Sequence, residues 1–356
     1  MDSLATFRRL LGTDPFTEII GQQEAKRQLL GTLATGHHCI IIGPPGIGKT
    51  TLARNVARLL PELHTTGCDF HCTVDNPVCP FCRSIAQQAT VADKSYTAKR
   101  SGTSHDTTVS GEQRFMRVQG SPDLTSEDLF GDVDPIKALE FGPLSMEAFT
   151  PGKLFRANNG VLFFDEINRC SEKLQNALLQ ALEESKVTLG GYLVDFPADF
   201  ILIGTMNPED SSTEPLSEVF LDRFDAVYMD YPETPELEQD IIISKGKQLC
   251  AMPEPLLGFM IGFVRHLRDN KHVLRKPSVR AELSLYERAQ ANALAASRDE
   301  VELDDIKDAV MSVLAHRIEL VPSMKFVLPI KQFVAEEFSR FHERYADLKS
   351  RLGDYG

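Results

Sequence analysis

No apolar run in the 356-residue chain approaches the roughly 20 residues that a membrane-spanning helix needs. The opening stretch, MDSLATFRRLLG, holds no long apolar segment either, so it does not read as a secretory signal and the expected location is the cytoplasm. Positive charge is also short. Lysine and arginine number 38 against 51 aspartates and glutamates, a net charge of −13, which argues against a nucleic-acid binder working through bulk charge but leaves a local basic patch open. The seven cysteines are few, and in a reducing compartment they are expected to be free or metal-bound rather than paired as disulfides. What remains, 42% hydrophobic and 25% charged residues over a length sufficient for two domains, is the composition of a globular chain with a sizeable core.

The rest is organised around residues 39–51, CIIIGPPGIGKTT. Cys39 to Ile42 reads as a short buried strand. Gly43, Pro44, Pro45, Gly46, Ile47, Gly48, Lys49 and Thr50 fit G-x-x-x-x-G-K-[ST], and Thr51 leads into a helix with Leu52, Val56, Leu59 and Leu60 on one face. Strand, glycine-rich loop and helix together form a phosphate cradle. The amides of Gly46, Ile47, Gly48 and Lys49 can wrap a phosphate only where no side chain obstructs them, and the helix N-terminus adds positive potential. Lys49 is placed to hold the β- and γ-phosphates, and the Thr50 hydroxyl to ligate Mg²⁺. Upstream, residues 14–36 begin with a turn and enter a helix after Gly21; Ile19 and Ile20 either fold over an adenine or simply pack that helix.

Four of the seven cysteines fall close together, as Cys68-x₃-Cys72 and Cys79-x₂-Cys82. Two thiolate pairs on short loops suit a tetrahedral, structural Zn²⁺ site, with His64 and His71 as substitutes for one ligand and unligated thiols or an iron–sulfur cluster as the alternatives. The polar stretch 93–114 reads as a mobile loop, 115–120 as a strand, 124–130 as a short helix started by Pro122-Asp123, and 131–152 as an insertion with small elements of its own.

A second apolar run, Gly160 to Phe164, ends in Asp165-Glu166. Such a strand would bring Asp165 to the Mg²⁺ shell through water, and Glu166 to where it can polarise an attacking water. A helix from Ser171, a hairpin over 187–196, and a strand over 200–205 follow. Asn207, leaving that strand, could reach a γ-phosphate and the lytic water. Arg223, just before a strand over 226–231, either reaches a neighbouring subunit's nucleotide or pairs on the surface with Asp222 or Asp225. From Pro232 the pattern turns helical, over 235–250, 255–269, 277–297 and 303–319, with a last helix from about 330 whose apolar stripe packs on the helical domain or on another chain. Arg280 lies in a first helical turn, where a cation is unfavourable unless it meets an anionic partner such as nucleotide.

The set GPPGIGKT (43–50), LFFDEINR (162–169), GTMNP (204–208), LDRF (221–224) and PSVRAELSL (277–285) resembles the AAA+ ATPases of the group containing MoxR-type chaperones and the ATPase subunit of magnesium chelatase. The resemblance covers about residues 14–320. It implies an α/β fold: a P-loop three-layer αβα sandwich with a parallel sheet over 1–232, and an all-α lid over 233–356. The cysteine-rich segment, about 64–92, is an insertion outside the family pattern, whereas about 115–160 matches the clade's own insertion. It further implies Asn207 as first sensor, Arg223 as a finger acting in trans, Arg280 as second sensor, ATP and Mg²⁺ as cofactors, and a ring, usually a hexamer. The usual partner of such proteins carries a von Willebrand A domain. No D-x-S-x-S sequence occurs here, so that partner would be another chain. Two other roles stand beside the chaperone: the motor of a magnesium or cobalt chelatase, and a nucleic-acid motor or clamp loader, which the acidic balance disfavours.

Overall fold

A computed structural model describes residues 3–79, 82–83, 85–86, 107–142, 145, 148–188, 195–208 and 216–353. Strands buried on both faces require near-continuous apolar runs. Five such runs build the central sheet: His38–Ile42 (β1), Phe115–Gln119 (β2), Gly160–Asp165 (β3), Phe200–Met206 (β4) and Phe224–Tyr228 (β5). All pair in parallel, in the order β5-β1-β4-β3-β2. Val161, Leu162, Phe163 and Phe164 of β3 are wholly buried, each side chain contributing about 1.5–3 kcal/mol of hydrophobic stabilisation. The register sets Ile42 against Met206, Ile41 against Thr205 and Gln119 against Asp165, so the C-terminal ends of four strands form one edge.

The chain divides into two compact units, one of Met1–Ile19, Gln23–Gly43 and Gly48–Met229, the other of Ile20–Gln22, Pro44–Ile47 and Asp230–Gly356. The first holds the sheet and the helices Ser3–Leu10 (α1), Gln23–Thr35 (α2), Lys49–Leu59 (α3) and Glu172–Glu184 (α4). Helix α3 buries Leu52, Ala53, Val56 and Ala57, and stops where Leu60 turns extended before Pro61, as a residue preceding proline must. The second unit is largely helical: Pro235–Lys245 (α5), Glu254–Asp269 (α6), Val279–Ala295 (α7), Leu303–Leu314 (α8) and Ile330–Gly353 (α9). The stripe on α9 packs within this unit, with Phe338 edge-on to Phe263 at 5.1 Å and Tyr345 edge-on to Phe259 at 5.2 Å.

Several boundaries differ from the sequence reading. The last strand begins at Phe224, two residues early, because pairing with His38 sets its start. The helix expected to reach 319 ends at Leu314, where Glu319–Leu320 pairs instead with Val273–Arg275. Part of the polar 93–114 stretch is ordered: Thr107–Val109 pairs antiparallel with Leu63–Thr65, and Glu112–Arg114 is a 3₁₀ turn; residues 93–106 lie outside the described residues. The short helix is Ser126–Phe130, started by a Thr125–Asp128 capping box rather than by Pro122-Asp123. Lys186–Thr188 and Asp195–Pro197 pair as the expected hairpin, its Gly-Gly turn falling outside the described residues. The 131–152 insertion carries its own hairpin, Gly131–Val133 with Phe149–Pro151, and the helix Pro135–Phe141.

Candidate active site

The phosphate loop leaves the C-terminal end of β1. Gly46 and Gly48 take φ of 76° and 100°, left-handed conformations that few residues with a Cβ adopt, and they bend the loop so that α3 begins at Lys49. The Lys49 ammonium turns back and donates to the Gly43 carbonyl at 2.6 Å, closing the loop. Gly43 in turn donates to the Met206 carbonyl at 3.1 Å, tying the loop to the end of β4. Ile19 is buried, and a Cβ on Gly48 would lie 3.4 Å from its Cδ1.

Asp165 and Glu166 stand at the same edge of the sheet. Thr205 on β4, wholly buried, donates its hydroxyl to Asp165 Oδ1 at 2.6 Å and accepts the Glu166 amide at 2.9 Å. Arg117 on β2 pairs with Asp165 Oδ2 at 2.6 Å. Glu166 has φ 54° and ψ 51°, a left-handed backbone unusual for glutamate and of the kind that clusters at functional sites. Its carboxylate accepts from Gln119 Nε2 at 2.9 Å and pairs with Arg169 at 3.1 Å. Both acids are therefore held by fixed donors, and Glu166 Oε2 is shared between an amide and a guanidinium. Asn207, half-buried, follows β4 at this edge.

The structure thus gathers Lys49, Thr50, Thr51, Asp165, Glu166 and Asn207 at one end of the first unit's sheet. Arg223 is elsewhere. It follows the short helix Glu218–Leu221 and precedes Phe224, whose register partner His38 is the first residue of β1, so it sits at the N-terminal edge. Its guanidinium pairs with Glu183 on α4, with Nε to Oε1 at 2.9 Å, and with Asp222 at 3.4 Å. The Asp222 pairing was one expectation; Asp225 is instead bound by Thr32 at 2.9 Å and His37 at 3.2 Å, and Glu183 was not foreseen. Arg280 is exposed in the second unit, on the first turn of α7. Within that unit a Cβ on Gly46 would meet Ser278 Oγ at 2.8 Å and Arg280 Cβ at 3.1 Å, so the 44–47 segment and the start of α7 are in contact.

The start of α7 is fixed by a buried charge cluster. Arg268 pairs with Glu238 and, at 2.6 Å, with Glu282, donates to the Pro277 carbonyl at 2.7 Å, and lies over the Tyr231 ring at 4.5 Å. Arg265 adds a pairing to Glu238 at 3.3 Å. Both carboxylates are fully buried, and burial pushes the Glu282 carboxyl up to about 8.

Cys68, Cys72, Cys79 and Cys82 converge, their sulfurs all within 4.8 Å of one another. Amides of Cys72, Val78, Cys79 and Cys82 point at sulfurs at 3.2–3.4 Å. Hydrogen bonds from the neighbouring thiols, that of Cys72 first, hold the Cys68 thiol far below its ordinary range. A tetrathiolate zinc puts its sulfurs about 3.8 Å apart, from bonds of ~2.3 Å, so the cage fits such an ion after a small contraction. His64 instead takes part in a hydrogen bond with Thr108 at 3.1 Å, and neither histidine belongs to the cage.

Three family models match successive stretches: the magnesium chelatase subunit ChlI over residues 15–120, the ATPase family associated with various cellular activities (AAA) over 93–226, and the AAA lid domain over 275–331. The magnesium-chelatase 38 kDa subunit of Acidiphilium rubrum is 30% identical over 274 residues, spanning 75% of this chain and 71% of that one. The chain belongs to the AAA+ ATPases, in the ChlI/MoxR group. As such it is an ATP hydrolase, with ATP and Mg²⁺ as its cofactors. The ChlI homolog of Methanocaldococcus jannaschii is similar over a longer span, 26% identical over 339 residues and 86% of each chain. Among solved structures, NtrX from Brucella abortus in complex with ADP has a TM-score of 0.51 at 15% identity, covering 95% of this chain and 70% of that one, a likeness of fold alone. No helix among the described residues is long and apolar enough to cross a membrane.

The sequence reading missed Thr205, Arg117, Gln119 and Glu183. A hydroxyl inside the apolar run FILIGT was a usable signal for Thr205, since a buried polar group must find a partner. The other three depend on strand order and helix placement, which local patterns do not encode.

Proposed function

We propose that this AAA+ ATPase works in the cytoplasm as a ring, a hexamer by family habit, in which each nucleotide lies at a subunit boundary and hydrolysis remodels a partner protein carrying a von Willebrand A domain. The ATPase core is 1–232 and the lid 233–356. The amides of Gly46, Ile47, Gly48 and Lys49 and the Lys49 ammonium bind the phosphates, with Thr51 beside them. Thr50 and Asp165 would hold Mg²⁺, which supplies charge neutralisation for the phosphates when bound. Glu166 takes the proton of the attacking water and Asn207 orients that water. The Gln119 and Arg169 contacts keep the Glu166 carboxylate placed. Arg280 links lid position to nucleotide.

One observation carries the shared-site reading. Arg223 sits at the N-terminal edge of the sheet, while Lys49 and Asp165 lie beyond its C-terminal edge. Five strand residues at ~3.3 Å each separate the two edges by about 15 Å, more than an arginine side chain spans. A finger there serves another protomer's nucleotide, and its pairing with Glu183 is the contact it leaves when rings close.

The test mixes two inactive variants. Arg223→Ala keeps an intact phosphate site, and Lys49→Ala keeps an intact finger. Mixed rings should recover part of the wild-type turnover at boundaries that pair one good site with one good finger. Failure to recover at any ratio, with co-assembly verified by sedimentation, would refute the trans role.

A second reading, the motor subunit of a magnesium or cobalt chelatase, is favoured by the similarity to the Acidiphilium and Methanocaldococcus proteins. Binding to a chelatase partner subunit in place of a von Willebrand A protein would decide for it. The four-cysteine cage holds a structural zinc in either case.

A further inference from the structure

The cysteine knuckle is joined to the sheet through two adjoining asparagines. Asn158, wholly buried, donates through Nδ2 to the Phe70 carbonyl at 2.9 Å and accepts the Asp199 amide on Oδ1 at 2.8 Å. Asn159 donates through Nδ2 to the His71 carbonyl at 3.3 Å, and its own amide donates to the Asp199 carbonyl at 2.6 Å. Phe70, flanked by Cys68 and Cys72, inserts its ring against Phe155 at 5.3 Å and Phe149 at 6.5 Å. Asn158 and Asn159 immediately precede β3, and Asp199 immediately precedes β4; Gly160 and Phe200 are register partners. One side chain therefore ties the knuckle to the roots of the two strands whose far ends carry Asp165, Glu166, Thr205 and Asn207.

The two carbonyls that receive the asparagines belong to the turn closed by the first cysteine pair, where His71 adopts φ 47° and donates its amide to the Cys68 carbonyl at 3.0 Å. Phe70 and the buried Cys72 supply the turn's apolar packing, and the Thr66 amide, donating to the Cys72 carbonyl at 2.8 Å, helps hold it in shape. A metal bridging Cys68 and Cys72 to Cys79 and Cys82 would also do so, because it fixes both ends of the turn.

We propose that a zinc ion bound by Cys68, Cys72, Cys79 and Cys82 anchors the N-terminal ends of β3 and β4 through Asn158 and Asn159. The knuckle is a foundation for the acid-bearing strands, placed at the edge of the sheet away from the nucleotide. This rests on the zinc reading given above, and the experiment separates the two.

Metal content of the purified full-length protein is measured by mass spectrometry, in wild type, Cys79→Ser and Asn158→Ser. Backbone amide exchange is followed by peptide in each, and in wild type stripped by an organomercurial with chelator. About one zinc per chain is expected in wild type and in Asn158→Ser, and much less in Cys79→Ser. Stripped wild type and both variants should exchange roughly tenfold faster at the roots of β3 and β4, the effect of losing one or two net hydrogen bonds. The stripped wild type keeps the result meaningful should either variant fold poorly. If zinc is present but stripping quickens exchange only within residues 66–83, the anchoring role is overturned and the zinc stands. If wild type carries no zinc, or carries iron in its place, the metal assignment falls and the anchor with it.

Discussion

The Thr205 hydroxyl offers a sharp test of how the two acids are held. Thr205→Val changes almost no volume, so packing around a fully buried side chain is kept while the hydroxyl disappears. Two interactions go. The first is donation to Asp165 Oδ1 at 2.6 Å, a hydrogen bond to a carboxylate worth about 1.5–3 kcal/mol. The second is acceptance of the Glu166 amide at 2.9 Å, whose loss leaves a part-buried donor unpaired at a cost of about 1–3 kcal/mol. Together these amount to roughly 3–5 kcal/mol. The Glu166 backbone, left-handed at φ 54°, relaxes once its amide is released, and the carboxylate moves with it. If about half of the loss falls on the transition state, turnover drops roughly 10- to 100-fold. ATP affinity should change little, since Lys49 and its loop lie on another strand. The folded state loses both interactions in full, so the melting point should fall by roughly 10 °C, at about 2–4 °C per kcal/mol for a unit of this size. The assays are coupled ATP turnover, nucleotide-analogue fluorescence and thermal melting, with Thr205→Ser as the control that restores the hydroxyl. Turnover and melting of Thr205→Val indistinguishable from wild type would refute the claim that this hydroxyl positions the acid pair.

Substitutions at two other positions probe the rest of the scaffold. Glu282 is an acid whose folded value, about 8, lies above its ordinary 4.5, so its stabilising share is complete below that ordinary value and is lost as pH rises through 8. The helical unit should lose up to about 1.4 kcal/mol per pH unit across that window, and Glu282→Gln should flatten the dependence; melting curves from pH 5 to pH 9 measure both. Arg114 is 1% exposed and, among the described residues, donates to carbonyls alone, those of Ser110 at 3.3 Å, Asn159 and Pro61. Arg114→Ala opens a cavity and orphans these acceptors, so urea unfolding should show a loss of about 3–5 kcal/mol, with Arg114→Met milder because it refills the space.

Much of the chemistry was written locally. The strand, loop and helix of the phosphate cradle are contiguous, so residues 39–51 specify the conformation by themselves. Asp165-Glu166 at the end of an apolar run, the two cysteine pairs and the helical spacing after Pro232 are likewise short-range patterns. The parallel sheet decided the remainder. Strands in such a sheet join only through long crossovers, so neighbours across it are distant in sequence and no spacing announces them. The order β5-β1-β4-β3-β2 is what puts Thr205 and Gln119 on either side of the acid pair, and sends Arg223 to the edge opposite Lys49. The Glu183 contact with Arg223 and the asparagine bridge from the cysteine turn to two strand roots arise in the same way. The sequence by itself brought forward the groups proposed to grip and attack a phosphate. Tertiary packing alone decided which side chains hold those groups still, and which end of the sheet faces away from them.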